Sequence, residues 1–205
     1  QGYNIIFGTT FGYIDAMAEM AEEYPDVIFL HCSGYLNNDT NFANYFGKMY
    51  QPRYLSGLAA GAMTDSNKIG YVAAFPIPEV IRGINAFAAG VNEVNPDATV
   101  EVVWTSTWFG PEVETQAANA LLETGADVLA QHQDSTATGI AAEAAGAKWI
   151  SYNTAYGKDS APEAFVTAPV CDWGPYYVDI VESIIDGTFT TESYWGGMET
   201  GLVSL

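Results

Sequence analysis

The sequence predicts an α/β protein built on parallel sheets, and two patterns carry that prediction. Short apolar runs alternate with longer segments of helical periodicity, many of them rich in alanine, and the connections between them are short. Such repeated βα winding requires a parallel sheet with helices on both faces. Polar and aromatic residues also follow the apolar runs directly. Because open α/β sheets bind ligands at the carboxyl ends of their strands, we expect a ligand site along that edge.

The first part of the chain contains two predicted strands, Tyr3–Phe7 and Val27–His31. The segment between them, Ile14–Glu23, has apolar residues at three- and four-residue spacing, which predicts a helix with one buried face. Residues 33–41 form a polar loop rich in glycine and asparagine. The longest helical pattern, Phe42–Met63, is predicted as a single helix. A polar turn that resembles a hinge, at residues 64–68, ends this part of the chain.

The second part of the chain alternates regularly from residue 69 onward. Pro78 and Pro111 stand at first helical turns, where a missing N–H costs nothing, and Gly125 and Gly146 stand where helices end. The predicted strands are Ile69–Ala73, Val100–Trp104, Val128–Gln131, Lys148–Ser151 and Phe165–Val170. The predicted helices are Pro78–Asn95, Pro111–Thr124, Thr136–Ala145 and Pro175–Gly187.

The charge of the chain excludes two classes of partner. Its 25 acidic residues outnumber its 6 basic residues, for a formal net charge of −19. Nucleic acid and anionic membrane surfaces need lysine and arginine, so neither is an expected partner. The acidic residues are spread along the chain, which is typical of a solvated surface. Adaptation to high salt would explain this negative charge, and so would an ordinary acidic secreted protein.

The sequence contains none of the common catalytic, metal and cofactor motifs. The sequence has no GxSxG elbow, GxGxxG loop, P-loop or HExxH pair, so we expect no catalytic residue, no metal and no cofactor. Cys32 and Cys171 lack metal-ligand spacing and are predicted as packed thiols without a disulfide. His132 is predicted as a packing histidine. Because side chains alternate along a strand, His132 and Gln133 cannot face the same way.

Aromatic residues after three predicted strands are candidates for stacking on a flat ligand. They are Phe75, Trp108 and the pair Phe11 and Tyr13. Trp108 follows polar residues and should be exposed unless something covers it, whereas Trp104 within its apolar run is predicted to lie in the core. Glu79 opens a helix, where an acid complements the helix dipole, so a structural role explains it as well as ligand contact.

Polar residues after the remaining strands are candidates for orienting that ligand. Asp134 and Asp172 can each cap the helix that follows, and capping is compatible with accepting a ligand N–H. Asn153 offers both a donor and an acceptor, although a turn residue would look the same. Trp173 next to Asp172 would pack between elements or contact the ligand.

Several strings of the sequence, in this order, resemble the basic membrane protein family, which comprises the substrate-binding lipoproteins of ABC transporters. The strings are Phe7–Gly12, Tyr24–Phe29, Tyr54–Met63 and Lys68–Val72. Three further strings look like its adenine- or purine-binding branch: Phe75–Phe87, Gln131–Ser135 and Asp172–Tyr177. The resemblance covers essentially the whole chain.

The resemblance implies a type I periplasmic-binding-protein fold with two Rossmann-like lobes and a hinged cleft. Residues 1–67 and 172–205 would form an incomplete first lobe, and residues 68–171 the second lobe. It further implies an extracytoplasmic, non-enzymatic protein that holds a purine between aromatic rings and delivers it to ABC permease subunits. A preceding segment would carry the lipid anchor, the membrane attachment and part of the ligand site.

One departure from the family bears on the ligand. Nucleoside-binding relatives carry a lysine at the position of Cys171 and an aspartate near Asn153, which suit ribose hydroxyls. Their absence favours a bare nucleobase. A sugar or an amino acid remains an alternative, although Arg82 is the only candidate for an amino acid's carboxylate. An enzyme using Asp134 or Asp172 as a base is a third reading.

Overall fold

The computed structural model describes residues 2–205. Its strands are Ile5–Gly8 (β1), Ile28–Cys32 (β2), Phe42–Gly47 (β3), Lys68–Ala73 (β4), Thr99–Trp104 (β5), Val128–His132 (β6), Lys148–Ile150 (β7), Phe165–Thr167 (β8), Val170–Cys171 (β9), Tyr194–Gly196 (β10) and Val203–Ser204 (β11). Its α-helices are Ile14–Glu23 (α1), Tyr50–Met63 (α2), Pro78–Val94 (α3), Pro111–Glu123 (α4), Ala137–Ala144 (α5) and Gly174–Ile185 (α6). Short 3₁₀ helices cover Phe11–Tyr13, Ala155–Asp159 and Met198–Thr200.

The chain forms two compact units. The first comprises residues 2–48 and Asp172–Leu202, and its sheet has the order β1-β2-β3-β10 with every neighbouring pair parallel. Helix α1 lies on this sheet and buries Met17 and Ala21 against Phe29 and Phe42. The predicted helix at residues 14–23 is therefore confirmed, together with its buried face.

The single helix predicted over residues 42–63 is wrong. Residues 42–47 form strand β3, which pairs in parallel with β2, and the helix begins only at Tyr50. Two asparagines explain the strand. Asn38 Oδ1 accepts the backbone N–H groups of Asn41 and Phe42, and the amide of Asn41 donates to three backbone carbonyls around the end of α1. These bonds hold the loop so that the chain enters the sheet beside β2.

The second unit comprises Met49–Cys171 and Val203–Leu205 and contains a five-stranded parallel sheet of order β5-β4-β6-β7-β8. One face of the sheet packs on α4 and α5 around Leu121, Leu129 and Trp149. The other face packs on α2 and α3 around Tyr71 and Phe87. The prediction of a parallel sheet with helices on both faces is confirmed for this unit.

Helix α2 belongs to the second unit, whereas the expected lobe boundary at residues 67 and 68 placed it in the first. The reason is its close packing on α3. A Cβ atom added to Gly57 would lie 2.1 Å from the carbonyl oxygen of Phe87, and one added to Gly90 would lie 2.1 Å from that of Tyr54. Glycine on both helices allows their backbones to touch. The first unit resumes at Asp172.

Two smaller expectations also change. The predicted strand at residues 165–170 consists of β8, in the five-stranded sheet, and β9, which pairs antiparallel with β11. Trp104 lies at the end of the edge strand β5 and is 39% exposed instead of in the core. No disulfide joins Cys32 and Cys171. Within residues 2–205, no helix is both long and apolar enough to span a membrane.

Candidate functional site

The four candidate residues of the second unit lie along one edge of its sheet. Phe75, Trp108, Asp134 and Asn153 follow β4, β5, β6 and β7 respectively, and these strands are neighbours in the order β5-β4-β6-β7. The strands are parallel, so their carboxyl ends meet at the same edge. The predicted position of these residues is confirmed, and their contact with a ligand stays a prediction.

Phe75 and Trp108 form an aromatic pair at this edge. Their ring centroids are 5.3 Å apart at an interplanar angle of 57°. Both residues are half-buried, so Trp108 is more covered than its polar sequence context suggested. The backbone N–H of Asp134 donates to the carbonyl oxygen of Trp108 at 2.9 Å, which fixes the tryptophan loop to the end of β6. The two rings therefore offer a flat apolar surface, and the loop that carries Trp108 is held in place by this hydrogen bond.

Asp134 and Asn153 are exposed residues at the same edge. Asp134 does not cap α5, because the Oγ atom of Ser135 accepts the N–H of Ala137 instead. Partial burial of the Asp134 carboxyl, then the nearby carboxylates of Glu114 and Glu79, raise its pKa above the ordinary value. Asn153 has a φ of 62°, in the left-handed region that asparagine tolerates, which supports its alternative role as a turn residue.

A buried polar cluster lies beside the aromatic pair. Glu79, in the first turn of α3, places Oε1 3.3 Å from Nε2 of His132. The His132 ring lies 4.1 Å from the Tyr152 ring and 6.1 Å from the Trp108 ring. His132 is 2% exposed, which supports its prediction as a packing histidine, but its neighbour is a carboxylate as well as apolar groups.

Arg53 of helix α2 is a further side chain of this buried cluster. Its side chain is fully buried, and Nη2 donates to the carbonyl oxygen of Gln131 at 2.8 Å. The guanidinium carbon lies 4.4 Å from the Tyr152 ring centroid and 5.4 Å from that of Tyr71, both cation–π distances. A buried positive charge near Glu79 and His132 sets the electrostatics of this edge.

Burial shifts the titration of the cluster. Burial lowers the pKa of His132, the neighbouring carboxylate of Glu79 acts in the opposite direction, and the positive charge of Arg53 lowers the pKa further. Burial and then the charge of Glu79 raise the pKa of Tyr152. The same two causes raise the pKa of Cys171 to about 12. The histidine is therefore neutral at pH 7, and the tyrosine and the cysteine keep their protons.

Two glutamines near the end of β6, Gln131 within the strand and Gln133 just after it, make different hydrogen bonds. Gln131 donates through Nε2 to the carbonyl oxygens of Gln133 and Ser135, and its Oε1 accepts the indole N–H of Trp149. Gln133 donates through Nε2 to Thr105, and its Oε1 has no donor among the residues the structure describes. Gln131 contacts Trp149 on the face of the sheet that carries α4 and α5, whereas His132 lies beside Glu79 of α3, as strand alternation predicts for neighbouring residues. Gln133 lies beyond the last residue of β6, at the carboxyl edge.

The candidate residues of the first unit lie in two places. Phe11 is half-buried and Tyr13 is 54% exposed, both in the 3₁₀ helix that follows β1. Asp172 accepts the N–H of Gly174, the first residue of α6, at 3.1 Å, but Trp173 and not Asp172 occupies the N-cap position.

Trp173 packs into an aromatic cluster of the first unit. Its ring is 5.3 Å from that of Tyr45 and 6.3 Å from that of Tyr177. The hydroxyls of Tyr45 and Tyr177 lie 3.1 Å apart, and burial raises the pKa of Tyr45. Packing therefore accounts for much of the Trp173 side chain.

Sequence reasoning did not find Arg53 or the pairing of Glu79 with His132. Arg53 lies in helix α2, and a charged residue in a helix is ordinarily expected at the surface. Its one sequence signal is its place in the small-residue face of α2, where Ser56, Gly57 and Ala60 are also buried. Residues 2–205 hold no group of three side chains arranged to bind a metal ion.

Comparison with known proteins identifies the family of the chain. The profile of the family described as "ABC transporter substrate-binding protein PnrA-like" matches residues 1–205. The chain belongs to this PnrA-like family. This membership agrees with the resemblance to the basic membrane protein family.

Two curated relatives carry different ligand names. A putative ABC transporter glucose-binding protein of Haloferax volcanii is 48% identical over 202 residues, which cover 98% of this chain and 51% of that protein. A purine-binding protein of Brucella abortus is 41% identical over 209 residues, covering 100% of this chain and 58% of that protein. The PnrA-like chain thus spans somewhat more than half the length of these relatives.

Solved structures confirm the fold class. An ABC transporter solute-binding protein from Conexibacter woesei superposes with a TM-score of 0.75 at 25% identity, covering 99% of this chain and 68% of that one. One from Aeropyrum pernix superposes with a TM-score of 0.86 at 18% identity, covering 98% and 60%. The PnrA-like chain therefore has the fold of periplasmic-binding-protein-like solute-binding proteins, as the resemblance implied.

Proposed function

We propose that the protein containing this chain captures a purine, as a nucleobase or nucleoside, outside the cytoplasm and delivers it to the permease of an ABC transporter. The observation that carries the proposal is the aromatic pair of Phe75 and Trp108 beside buried polar groups at the carboxyl edge of the second sheet. A planar heterocycle needs both: a flat apolar face for stacking and polar atoms that read its edge.

Two further predicted residues would add to this site, because Asp134 and Asn153 lie at the same edge and would orient the ligand. Phe11, Tyr13, Asp172 and Trp173 of the first unit stay predicted ligand contacts. The purine-binding name of the relative from Brucella abortus, which matches the full length of this chain, supports the ligand class. Attachment to the membrane through a lipid on a preceding segment is part of the proposal.

A sugar is the second candidate ligand. The relative from Haloferax volcanii is named as a putative glucose-binding protein. Carboxylate and amide oxygens such as those of Glu79 and Gln133 also accept hydrogen bonds from hydroxyl groups, and Trp108 can cover an apolar face of a pyranose.

Isothermal titration calorimetry of the full-length protein separates the two candidates. The panel is adenine, guanine, adenosine, inosine and glucose, with arginine as an unrelated control. The proposal predicts saturable binding of at least one purine with a stoichiometry of about one, as a single carboxyl-edge site implies. Binding of glucose with no heat from any purine would overturn it. Conversion of any purine into a product would show an enzyme instead.

A further inference from the structure

Two buried acceptor oxygens stand out at the carboxyl edge of the second sheet. Oε2 of Glu79 and Oε1 of Gln133 have no hydrogen-bond donor among the residues that the structure describes. Gln133 is 1% exposed and the side chain of Glu79 is 12% exposed. A buried acceptor without a donor costs about 1–3 kcal/mol, and more when it is charged. Both ring nitrogens of His132 and two guanidinium nitrogens of Arg53 lack partners among the same residues, so the cluster as a whole calls for partners from a bound molecule.

The orientation of Glu79 follows from its contact with His132. A neutral imidazole carries one N–H, and Nε2 of His132 is the ring nitrogen that faces Oε1 of Glu79 at 3.3 Å. Nδ1 lies on the other side, toward Gly83 and Arg53. Nε2 of His132 thus lies at ion-pair distance from Oε1 without a hydrogen bond, and Oε2 of the carboxylate has no donor among the described residues.

The orientation of Gln133 follows from Thr105. The hydroxyl of Thr105 donates to a backbone carbonyl, that of Thr107 or that of Ala73, and has no second proton. Its Oγ1 can therefore only accept from Gln133, which assigns Nε2 to the side facing Thr105. The acceptor Oε1 of Gln133 then points away from Thr105. Gln131, two residues earlier, has all its polar atoms engaged and serves as the structural contrast.

We propose that Glu79 and Gln133 read N–H donors of a purine base, and that His132 is a positioning residue for Glu79. This inference rests on the proposed function and makes it more specific. A free base such as adenine offers a ring N–H and an exocyclic amino group, which match two acceptors. A ligand that presents a carbonyl or an unprotonated ring nitrogen to either oxygen would be repelled. Attachment of a ribose or a methyl group removes the ring donor.

The test compares adenine with two analogues in calorimetric titrations of the full-length protein. 9-Methyladenine lacks the ring N–H, and N6,N6-dimethyladenine lacks the amino donors. Loss of a charge-assisted hydrogen bond to a buried carboxylate corresponds to about a 10- to 100-fold weaker affinity. We expect the wild-type protein to discriminate against at least one analogue by this factor, and the Glu79→Gln variant to bind adenine about 10- to 100-fold more weakly and to lose the discrimination.

Glu112→Gln is the matched control, because Glu112 also follows a proline in the first turn of a helix but is exposed. It should bind like wild type. If wild type binds adenine and Glu79→Gln keeps the same affinities and the same ratio between analogues, the inference is overturned while the proposed function stands. If no purine binds to wild type, the proposed function itself fails. Should Glu79→Gln not fold, Gln133→Met supplies the test: adenine affinity reduced about 10-fold supports the inference, and unchanged affinity overturns it.

Discussion

Replacement of Gly90 by alanine tests the packing of α2 on α3, which places Arg53 under the site. A Cβ atom at Gly90 would lie 2.1 Å from the carbonyl oxygen of Tyr54 and 2.9 Å from the backbone nitrogen of Leu58. Both are backbone atoms and cannot rotate away, so the two helices must separate. Gly83, on the same helix, is the control, because its Cβ would meet nothing nearer than Arg53 Cγ at 3.7 Å.

The expected magnitude combines two effects. Alanine favours a helix over glycine by about 1 kcal/mol, and this gain applies to both variants. Overpacking costs typically about 1–3 kcal/mol, and a backbone clash belongs at the upper end. Gly90→Ala should therefore lower the free energy of unfolding by about 2 kcal/mol, whereas Gly83→Ala should leave it unchanged or raise it by up to about 1 kcal/mol.

Urea unfolding followed by circular dichroism measures this difference. With a slope of about 2–3 kcal/mol per molar urea, the midpoints of the two variants should differ by about 1 M. Equal midpoints, or a Gly90→Ala variant more stable than Gly83→Ala, would show that α2 and α3 are not in backbone contact.

Three further predictions concern single groups of the second unit. Partial burial of Asp127 is outweighed by hydrogen bonds from the Thr64 hydroxyl and two backbone N–H groups, so its pKa lies below 3.8. Asp127→Asn should therefore lower the free energy of unfolding by about 1–2 kcal/mol at pH 7, and the exposed Asp97→Asn should leave it unchanged. In urea unfolding, the difference between Asp127→Asn and wild type should persist above pH 4 and vanish as the pH falls through the lowered pKa. Trp149→Phe removes a buried indole N–H bonded to Gln131 at 2.9 Å and should lower the free energy of unfolding by about 1–3 kcal/mol, a result that equal urea midpoints would contradict. The raised pKa of Cys171, about 12, predicts slow reaction with iodoacetamide at pH 8 in the native protein and fast reaction in urea; equal rates in the two states would refute the burial of this thiol.

The sequence was sufficient for the regular part of the fold. Helix α1 and the βα alternation after residue 68 follow from apolar periodicity, proline at helix starts and glycine at helix ends, all of which act locally. Strand β3 was missed because it depends on pairing with β2 and on the hydrogen bond that the Asn41 amide donates to the distant backbone carbonyl of Ala21, while Asn38 Oδ1 accepts the N–H of Asn41 within the loop. Periodicity within the segment could not reveal those partners.

The candidate site was predictable in place but not in chemistry. Residues after the strands fall at one edge of the sheet because parallel strands end together, so Phe75 and Trp108 could be named in advance. Arg53 comes from a helix that precedes this sheet in sequence, and the Glu79–His132 contact joins residues more than fifty positions apart. Only the packing of α2 and α3 brings these charges together.

The most direct test of the account is the affinity of Trp108→Leu for adenine, with Trp104→Leu as the control. Trp104 is exposed at the end of the edge strand β5, whereas Trp108, in the loop that follows this strand, packs against Phe75. Stacking on a base contributes about 1–3 kcal/mol, so fluorescence or calorimetric titration should show adenine binding weakened about 10-fold or more in Trp108→Leu and unchanged in Trp104→Leu. Equal affinities of both variants and wild type would contradict a purine site at this edge of the sheet.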